Sequence, residues 1–377
     1  MKDRFRSALF NLTLVTVAVV VTLGAFEFAL RMALPQKLYR YPRGLFRNDP
    51  DLSFTFQPGF RGTLHTPEFT THIRINSLGI RGSEVMEKAP DISRILVLGD
   101  SFVSALNVEE EDTFVRVMER ELRALVPDRR IEVVNAGTPN YGTWHELGLF
   151  RRLIPSVRPD MAVLCVFTGN DLDDNLAPES AAVRGGFLVE RVRRKGTLPY
   201  GVRSWLQRNS MAYVFLWNAW DRVKAISGGR RQDPIAGIRV LLSSEDSPRV
   251  EKGYEVSGKI LGELRGEAAR RGIYLLVVII PADYQVSPDR VMSTLRSSKT
   301  GTGDYDPDRP DDLWARLAQD LGLPVLDLLP TLRSHTQGPP LYMPLDGHLT
   351  PEGNRLAGRA VAVALLPFLR EVRKERL

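Results

Sequence analysis

Residues 94–102 of this chain read RILVLGDSF, and this stretch decides the fold. Its first five residues are mostly apolar and branched, which predicts a buried β-strand. Gly99, Asp100 and Ser101 follow at once, and a glycine beside short polar residues predicts a tight turn. The stretch therefore places the hydroxyl of Ser101 on a strand-to-helix turn, just beyond the carboxyl end of a buried strand.

Further apolar runs follow the first along the chain. They cover residues 131–135, 161–167, 273–280 and 324–328. Between the runs at 94–98 and 131–135, apolar residues recur at helical spacing: Phe114, Met118, Leu122 and Leu125. Asp112 is the predicted cap of this helix. Strands that are apolar throughout and alternate with helices indicate a parallel sheet covered on both faces. We therefore predict an α/β fold with a doubly wound sheet of five strands, for which 2-1-3-4-5 is a candidate order.

Polar residues follow several of these runs, at the edge where ligands bind in such sheets. The second run leads into the glycine-rich loop NAGTPNYGT at 135–143, whose backbone N–H groups can point at a bound oxygen. The third run leads to Asn170, whose amide carries two donors. Near the C-terminus, Asp346 and His348 precede a helix that Thr350 caps with Pro351 in its first position.

These residues are the parts of an acyl-transfer site. A serine hydroxyl is a poor nucleophile near neutral pH and needs a base. His348 can accept that proton, and Asp346 can fix the tautomer of the imidazole and stabilise the imidazolium. The tetrahedral oxyanion needs preorganised donors, for which the N–H of Ser101, an N–H from residues 137–140 and the amide of Asn170 are candidates.

The same residues resemble the four sequence blocks of SGNH (GDSL-type) hydrolases. In chain order the blocks are Gly99-Asp100-Ser101, the loop at 137–142, Gly169-Asn170-Asp171 and the Asp346/His348 pair. The resemblance covers residues 94–367 apart from an insertion, and it is strongest to bacterial members with an N-terminal anchor and a segment like NSLGIR at 76–81. It implies a flavodoxin-like fold and hydrolysis or transfer of ester-linked acyl groups.

The resemblance also implies a role for each matching residue: Ser101 as nucleophile, His348 as base, Asp346 as its partner and Asn170 as oxyanion donor. Two positions depart from the family pattern. The usual spacing is Asp-x-x-His, whereas this chain has Asp-x-His, as some cell-surface acyl-transfer relatives do. The glycine of the second block corresponds either to Asn140, which precedes Tyr-Gly-Thr, or to Gly137. Asparagine tolerates left-handed backbone, so either residue can offer the N–H.

The N-terminus predicts a membrane segment. Residues 8–26 carry no charge, and as a helix they span about 28 Å, close to the thickness of the hydrocarbon layer. The basic residues Lys2, Arg4 and Arg6 precede them and belong on the cytoplasmic side. We expect an uncleaved, single-pass anchor in a bacterial inner membrane, with the rest of the chain in the periplasm or outside the cell. A signal peptide cleaved after residues 22–24 is the alternative.

The chain divides into three predicted parts: a stub and anchor at 1–34, a membrane-proximal segment at 35–90, and a hydrolase-like domain at 91–377 interrupted by an insertion at 178–250. Within the insertion, Gly185-Gly186 predicts a turn. A helical stretch follows whose aromatic residues either pack on the main domain or form a rim for sugars or the bilayer: Trp205, Tyr213, Phe215, Trp217 and Trp220. Residues 286–312 predict a long loop, either a lid or a disordered segment.

Several classes of function are disfavoured. The net charge of +6 is small for a chain of this length, and nucleic-acid binding needs a concentrated basic face, so we predict no nucleic-acid partner. The single cysteine, Cys165, lies in an apolar run and is predicted to be a buried small residue. The acidic residues at 171–175 lack the glycine and glutamate of a calcium loop and are predicted to form a polar loop. We therefore predict no metal and no cofactor.

Three hypotheses for function remain. The first is an exported esterase that removes ester-linked acyl groups, with O-acetyl expected, from a cell-envelope glycan or lipid. The second is an O-acyltransferase that modifies an exported polysaccharide, as part of a polysaccharide-modification complex. The third is a non-catalytic envelope assembly subunit.

Overall fold

The computed structural model describes residues 2–36, 38, 41–190, 200–226, 241–243, 247–287 and 305–374. The described residues fall into two compact units, one within 1–40, 66–68 and 194–234 and the other within 41–65, 69–193 and 235–377. The described strands are β1 (Phe46–Asp49), β2 (Ser53–Phe56), β3 (Arg61–His65), β4 (Thr70–Arg74), β5 (Ile92–Gly99), β6 (Arg130–Gly137), β7 (Met161–Phe167), β8 (Ala181–Arg184), β9 (Phe187–Glu190), β10 (Tyr274–Ile280) and β11 (Val325–Asp327). The described helices are α1 (Lys2–Ala33), α2 (Ser101–Ser104), α3 (Phe114–Leu125), α4 (Thr143–Val157), α5 (Asp171–Leu176), α6 (Tyr200–Asn209), α7 (Met211–Ile226), α8 (Pro248–Ala269), α9 (Asp283–Val286), α10 (Arg309–Asp320), α11 (Leu329–Arg333) and α12 (Pro351–Lys374).

The second unit is built on a five-stranded sheet in the order β11-β10-β7-β5-β6, and all neighbouring strands are parallel. Counted along the chain, β5 is the first of these strands and β6 the second, so the order is 2-1-3-4-5. The predicted doubly wound α/β fold, its five strands and their order are therefore confirmed.

Both faces of this sheet are buried, as the apolar runs predicted. In β5, Leu96 and Leu98 join one core cluster, whereas Ile95 and Val97 join another on the opposite face. The helices α4, α8 and α10 contribute to the first cluster, and α3 and α12 contribute to the second. Cys165 is buried in β7, in agreement with its prediction.

Helix boundaries correct two predictions. The cap of α3 is Thr113, whose Oγ1 accepts from the N–H of Arg116 at 3.3 Å. Asp112 is not the cap because it ends a short 3₁₀ turn, Glu110–Asp112. The predicted loop at 286–312 is also too long, because α10 already begins at Arg309; residues 288–304 lie outside the described residues. The cap of α12 is confirmed, since Thr350 Oγ1 accepts from the N–H of Gly353 at 3.2 Å.

Small antiparallel hairpins border the sheet within the same unit. β1 pairs with β2, β3 with β4, and β8 with β9. The turn of the last hairpin is at Gly185-Gly186, as predicted, and both glycines have positive φ. Arg152 of α4 forms two hydrogen bonds with Asp49, at 2.7 and 2.8 Å, and this guanidinium is the main cause that lowers the pKa of Asp49 to about 2. The boundaries proposed at residues 34, 90, 178 and 250 stay predictions.

The first unit contains α1, α6 and α7. Within α1, Leu9–Ala33 is 25 residues long and apolar enough to cross a membrane, which fits either an anchor or a signal sequence. The aromatic stretch is helical, as predicted, with a break at Ser210 between α6 and α7. One of its predicted aromatic residues, Phe215, packs edge-on against Phe26 of α1, with ring centroids 5.8 Å apart.

Candidate active site

Ser101 lies where β5 turns into α2. Asp100 caps this helix, because its Oδ1 accepts from the N–H of Phe102 at 2.8 Å. Gly99 allows the turn to close: a Cβ at this position would lie 2.2 Å from Cγ2 of Val103. The local sequence therefore holds Ser101 at the first position of a helix, at the carboxyl end of a central strand.

The structure brings Ser101, His348 and Asp346 together. His348 Nε2 lies 2.7 Å from Ser101 Oγ, and His348 Nδ1 is hydrogen-bonded to Asp346 Oδ1. The ring of Phe102 packs against the imidazole, with centroids 4.8 Å apart. The backbone of the loop adds support, because His348 O accepts from the N–H of Met343 at 2.8 Å. A hydroxyl, an imidazole and a carboxylate in this series are the arrangement that activates a serine.

The predicted oxyanion donors differ in their surroundings. Asn140 is exposed and has φ of +63°, the left-handed conformation that the sequence allowed for. Asn170 Nδ2 donates to Asp174 Oδ2 at 2.7 Å, and since the amide carries two hydrogens, one is left for a ligand. The alternative prediction, Gly137 as the donor, is wrong because its N–H already donates to Asn135 Oδ1 at 3.0 Å.

Gly137 has a packing role instead. A Cβ there would lie 2.2 Å from the backbone N of Ser104 and 2.6 Å from the carbonyl carbon of Val103. We expect Gly137→Ala to lower the free energy of unfolding by about 2–3 kcal/mol, because backbone atoms of α2 would have to move. Urea denaturation measures this loss. Gly262→Ala is the control, since a Cβ in that helix meets only Leu321 Cδ2 at 3.8 Å, and an equal loss in both variants would contradict the prediction.

The burial of three carboxyl groups near this turn was not predicted from the sequence. Asp100, Glu146 and Asp171 are each at most 1% exposed. Burial raises the pKa of all three groups. Repulsion by Asp100 and Asp174 raises the pKa of Glu146 further, and repulsion by Glu146 and Asp100 does the same for Asp171. The available signal was the position of Glu146 on the apolar stripe of α4, where Leu149, Phe150 and Leu153 follow at helical spacing.

Glu146 provides a test by pH. Because burial raises its pKa, the folded chain keeps a proton that the unfolded chain releases above about pH 4.3. The contribution of Glu146 to the free energy of unfolding must therefore fall as pH rises through and beyond this value. Glu146→Gln should reduce the difference in melting temperature between pH 5 and pH 8, because glutamine has no proton to lose. An unchanged difference would mean that Glu146 is ionised in the folded chain.

The acidic residues 171–175 form α5, a helix rather than the predicted polar loop. Asp171 Oδ2 accepts from the N–H of Phe167 at 2.9 Å, and Asn175 Nδ2 donates to Ser257 Oγ at 2.8 Å. Among the described residues, no group of three or more His, Cys, Asp or Glu side chains is arranged to hold a metal ion. The hydrogen bonds of Asp171 and Asn175 hold α5 to β7 and α8.

Residues 241–375 match the family model described as ALGX, an SGNH hydrolase-like domain of the acetyltransferase AlgX. The match includes Asp346 and His348. A search of curated proteins finds no match.

Three solved structures are similar to this chain. LAE5, an alpha/beta hydrolase enzyme from the metagenome of Lake Arreo, Spain, is 14% identical over 72% of this chain and 94% of its own, with a TM-score of 0.40. The acetyl xylan esterase AlAXEase is 14% identical over 72% of this chain and 100% of its own, with a TM-score of 0.39. A lipase/acylhydrolase from Enterococcus faecalis is 13% identical over 72% of this chain and 95% of its own, also at 0.39.

At these TM-scores the structural similarities indicate nothing about substrate. The family match is different, because it covers the C-terminal loop that reaches the serine. Residues 241–375 are therefore similar to an SGNH hydrolase-like domain, and the parallel sheet and the turn at Ser101 agree with that similarity.

Proposed function

We propose that this enzyme is an exported serine esterase that removes ester-linked acyl groups, chiefly O-acetyl, from a cell-envelope glycan or lipid. The observation that carries the proposal is the hydrogen-bonded series from Asp346 through His348 to Ser101 at the end of β5. No cofactor is required, because each proton and each bond in the reaction is handled by these side chains and water.

The mechanism follows from the positions of the three side chains. Ser101 Oγ attacks the acyl carbonyl while His348 Nε2 accepts the hydroxyl proton, and Asp346 stabilises the imidazolium. The ester C–O bond then breaks, the leaving oxygen takes the proton from His348, and the acyl group stays on Ser101. Water attacks this acyl-enzyme with His348 again as base, which releases the acid and restores the serine.

The oxyanion of each tetrahedral intermediate needs donors that are already in place. The N–H of Ser101 is at the start of α2, and the N–H of Asn140 and the remaining amide hydrogen of Asn170 are the other proposed donors. Asp174 supports this assignment because it fixes the orientation of the Asn170 amide. Losing one such donor costs about 3 kcal/mol of barrier.

An O-acyltransferase is the second candidate, favoured by the family match to an acetyltransferase domain. In this reaction a sugar hydroxyl replaces water in the second step, and exclusion of water from the acyl-enzyme decides the outcome. Such an enzyme would work beside the other components of a polysaccharide-modification complex.

We propose that α1 is retained as an anchor in a bacterial inner membrane through residues 8–26, with the catalytic domain in the periplasm. Contacts within the first unit support retention. The carboxylate of Glu27 accepts from the N–H groups of Met211 and Ala212 at 3.0 and 2.9 Å, and Leu30 is buried. Cleavage at residues 22–24 would separate the first two-thirds of α1 from this packed end.

Purified full-length chain in detergent provides the test of activity. We expect hydrolysis of p-nitrophenyl acetate and covalent labelling of Ser101 by a fluorophosphonate probe, and Ser101→Ala should lose both. Adding an oligosaccharide acceptor and looking for its acetylated form by mass spectrometry separates transferase from esterase. Absence of hydrolysis, transfer and labelling in the wild type would contradict the proposal and favour a non-catalytic assembly subunit.

A further inference from the structure

The helix α7 has two apolar faces. Met211, Ala212 and Phe215 lie on the face that packs in one cluster with Leu30 of α1. At helical spacing, a second face carries large apolar side chains on the other side of the helix. It consists of Tyr213, Leu216, Trp217 and Trp220, of which Leu216 is 50% and Trp220 58% exposed.

The neighbouring helix α6 adds to this exposed apolar surface. Val202 is 48% and Trp205 58% exposed. Soluble surfaces rarely expose several large apolar side chains in one region unless something covers them. The apolar span of α1, which is likewise unburied, belongs to the same unit.

Hydrogen bonds fix where α7 begins relative to this span. The two oxygens of Glu27, near the C-terminal end of α1, accept from the first two N–H groups of α7 and from Ser210 Oγ at 2.9 Å. Arg31 Nη2 donates to Asn209 O at 3.0 Å, the last residue of α6. The junction of α6 and α7 is therefore tied to the end of α1 that faces away from the N-terminal basic residues.

We propose that α6 and α7 lie in the lipid headgroup layer of the membrane that α1 crosses, with Trp205, Leu216 and Trp220 at the boundary of the acyl chains. Tryptophan and tyrosine favour this depth because their rings combine an apolar body with a polar N–H or O–H. Lipid is the favoured occupant over sugar, since the exposed residues belong to the same unit as an apolar span and their helices are hydrogen-bonded to its end. The inference rests on the proposed retention of α1.

The test uses the full chain in nanodiscs made with brominated phosphatidylcholine, because bromine quenches tryptophan only in contact. We expect bromine to quench tryptophan emission in the wild type. Most of this quenching should be absent in the double variant Trp205→Phe/Trp220→Phe. Trp314→Phe is the matched control, since Trp314 is 1% exposed in the core of the second unit and should contribute no quenched emission.

Equal quenching in the double variant and the wild type would overturn the proposal. A chain that is cleaved and does not enter nanodiscs would instead contradict retention of α1, and the same measurement with brominated vesicles added to the soluble chain then decides whether the two helices bind lipid. Fluorophosphonate labelling of Ser101 in each sample reports separately on the proposed activity.

A second inference concerns Arg81, which ends the segment NSLGIR. Its side chain is buried, and its guanidinium is surrounded by backbone carbonyls. Nη1 donates to Ser104 O at 2.6 Å and Ala105 O at 2.5 Å, and Nη2 donates to Val108 O at 2.7 Å. Since α2 runs only from Ser101 to Ser104, the guanidinium caps the end of the helix whose first residue is the proposed nucleophile.

Asn135 holds the same short helix from β6. Its Nδ2 donates to Val103 O at 2.8 Å, and its backbone forms a β-bridge with Arg81. Burial lowers the pKa of Arg81 to about 10, which leaves the guanidinium charged at neutral pH. Hydrogen bonds from a charged donor are stronger than neutral ones, so Arg81 restrains these carbonyls firmly.

We infer that Arg81 is a positioning residue for the reaction: it does not touch the reacting atoms but keeps α2 where Ser101 Oγ meets His348 Nε2. We expect Arg81→Gln to lower kcat about 10- to 100-fold with little change in KM, because small displacements of a nucleophile cost that much. The kcat of Arg81→Lys should lie between those of the wild type and Arg81→Gln, since lysine keeps the charge but lacks the planar set of donors of the guanidinium.

Arg94→Gln is the matched control. Arg94 is fully buried in β5 and donates to Val157 O at 2.8 Å and Met86 O at 2.9 Å, near the opposite end of the strand from Ser101. We expect Arg94→Gln to have a lower melting temperature but a wild-type kcat when the rate is divided by the amount of labelled Ser101. Unchanged kcat in both Arg81 variants, or an equal loss in Arg94→Gln, would overturn the inference. If Arg81→Gln fails to fold, Arg81→Lys decides, and labelling of wild-type Ser101 tests the proposed nucleophile independently.

Discussion

Replacing His348 by glutamine should lower kcat for acetyl-ester hydrolysis by about 10⁴- to 10⁶-fold. Glutamine cannot take up the proton of Ser101 Oγ, from which His348 Nε2 is 2.7 Å away. Without a base the hydroxyl is a weak nucleophile. Labelling of Ser101 by a fluorophosphonate should fall with kcat, because the same activated oxygen attacks the probe. Initial rates and intact-protein mass spectrometry measure the two effects.

His65→Gln is the control for this variant. His65 is exposed and its Nδ1 lies 2.6 Å from Thr70 Oγ1, so we expect unchanged activity. His348→Gln should keep a melting temperature near that of the wild type, since the histidine side chain is partly exposed in a loop. A variant that is folded and retains a tenth or so of wild-type kcat would mean that another group serves as base.

The edge strand β11 is only half-buried, but the sheet could be predicted from sequence because its inner strands β5, β7 and β10 are buried on both faces. Such strands read as unbroken apolar runs, and the segments between them have helical spacing. Ser101 could be chosen for a related reason: it follows a buried strand directly, at the edge where parallel strands end and ligands bind. Asp346 and His348 follow no strand and could be chosen only because they precede the helix that Thr350 caps and resemble the fourth family block. The structure then brings residues 247 positions apart into contact.

Other features depend on tertiary contacts that leave no local pattern. The sequence left Gly137 as the alternative to Asn140 for an N–H donor, because it does not reveal that the side chain of Asn135 accepts from the N–H of Gly137. Arg81 stands in a recognisable segment, but its role follows from carbonyls more than twenty residues later in the chain. The predicted cap of α3 was Asp112, but the observed cap is Thr113 because a short 3₁₀ turn precedes the helix. Composition does not reveal such a turn.

Replacing Asp346 by asparagine should lower kcat by about 10²- to 10⁴-fold while the chain stays folded. The carboxylate is hydrogen-bonded to His348 Nδ1 and therefore holds the tautomer in which Nε2 is free to accept a proton. An asparagine amide can donate to Nδ1 instead, which leaves the proton on Nε2 and facing Ser101. Burst kinetics with p-nitrophenyl acetate separate this loss of acylation from any change in deacylation.

Asp100→Asn distinguishes this role from that of the nearest other carboxyl group. Asp100 Oδ2 accepts from Ser101 Oγ at 3.3 Å, but its Oδ1 caps α2, which asparagine can also do. If Asp346 orients the imidazole, Asp346→Asn must cost far more kcat than Asp100→Asn. The reverse order would assign the orienting carboxylate to Asp100, and the spacing Asp-x-His would then be incidental to catalysis.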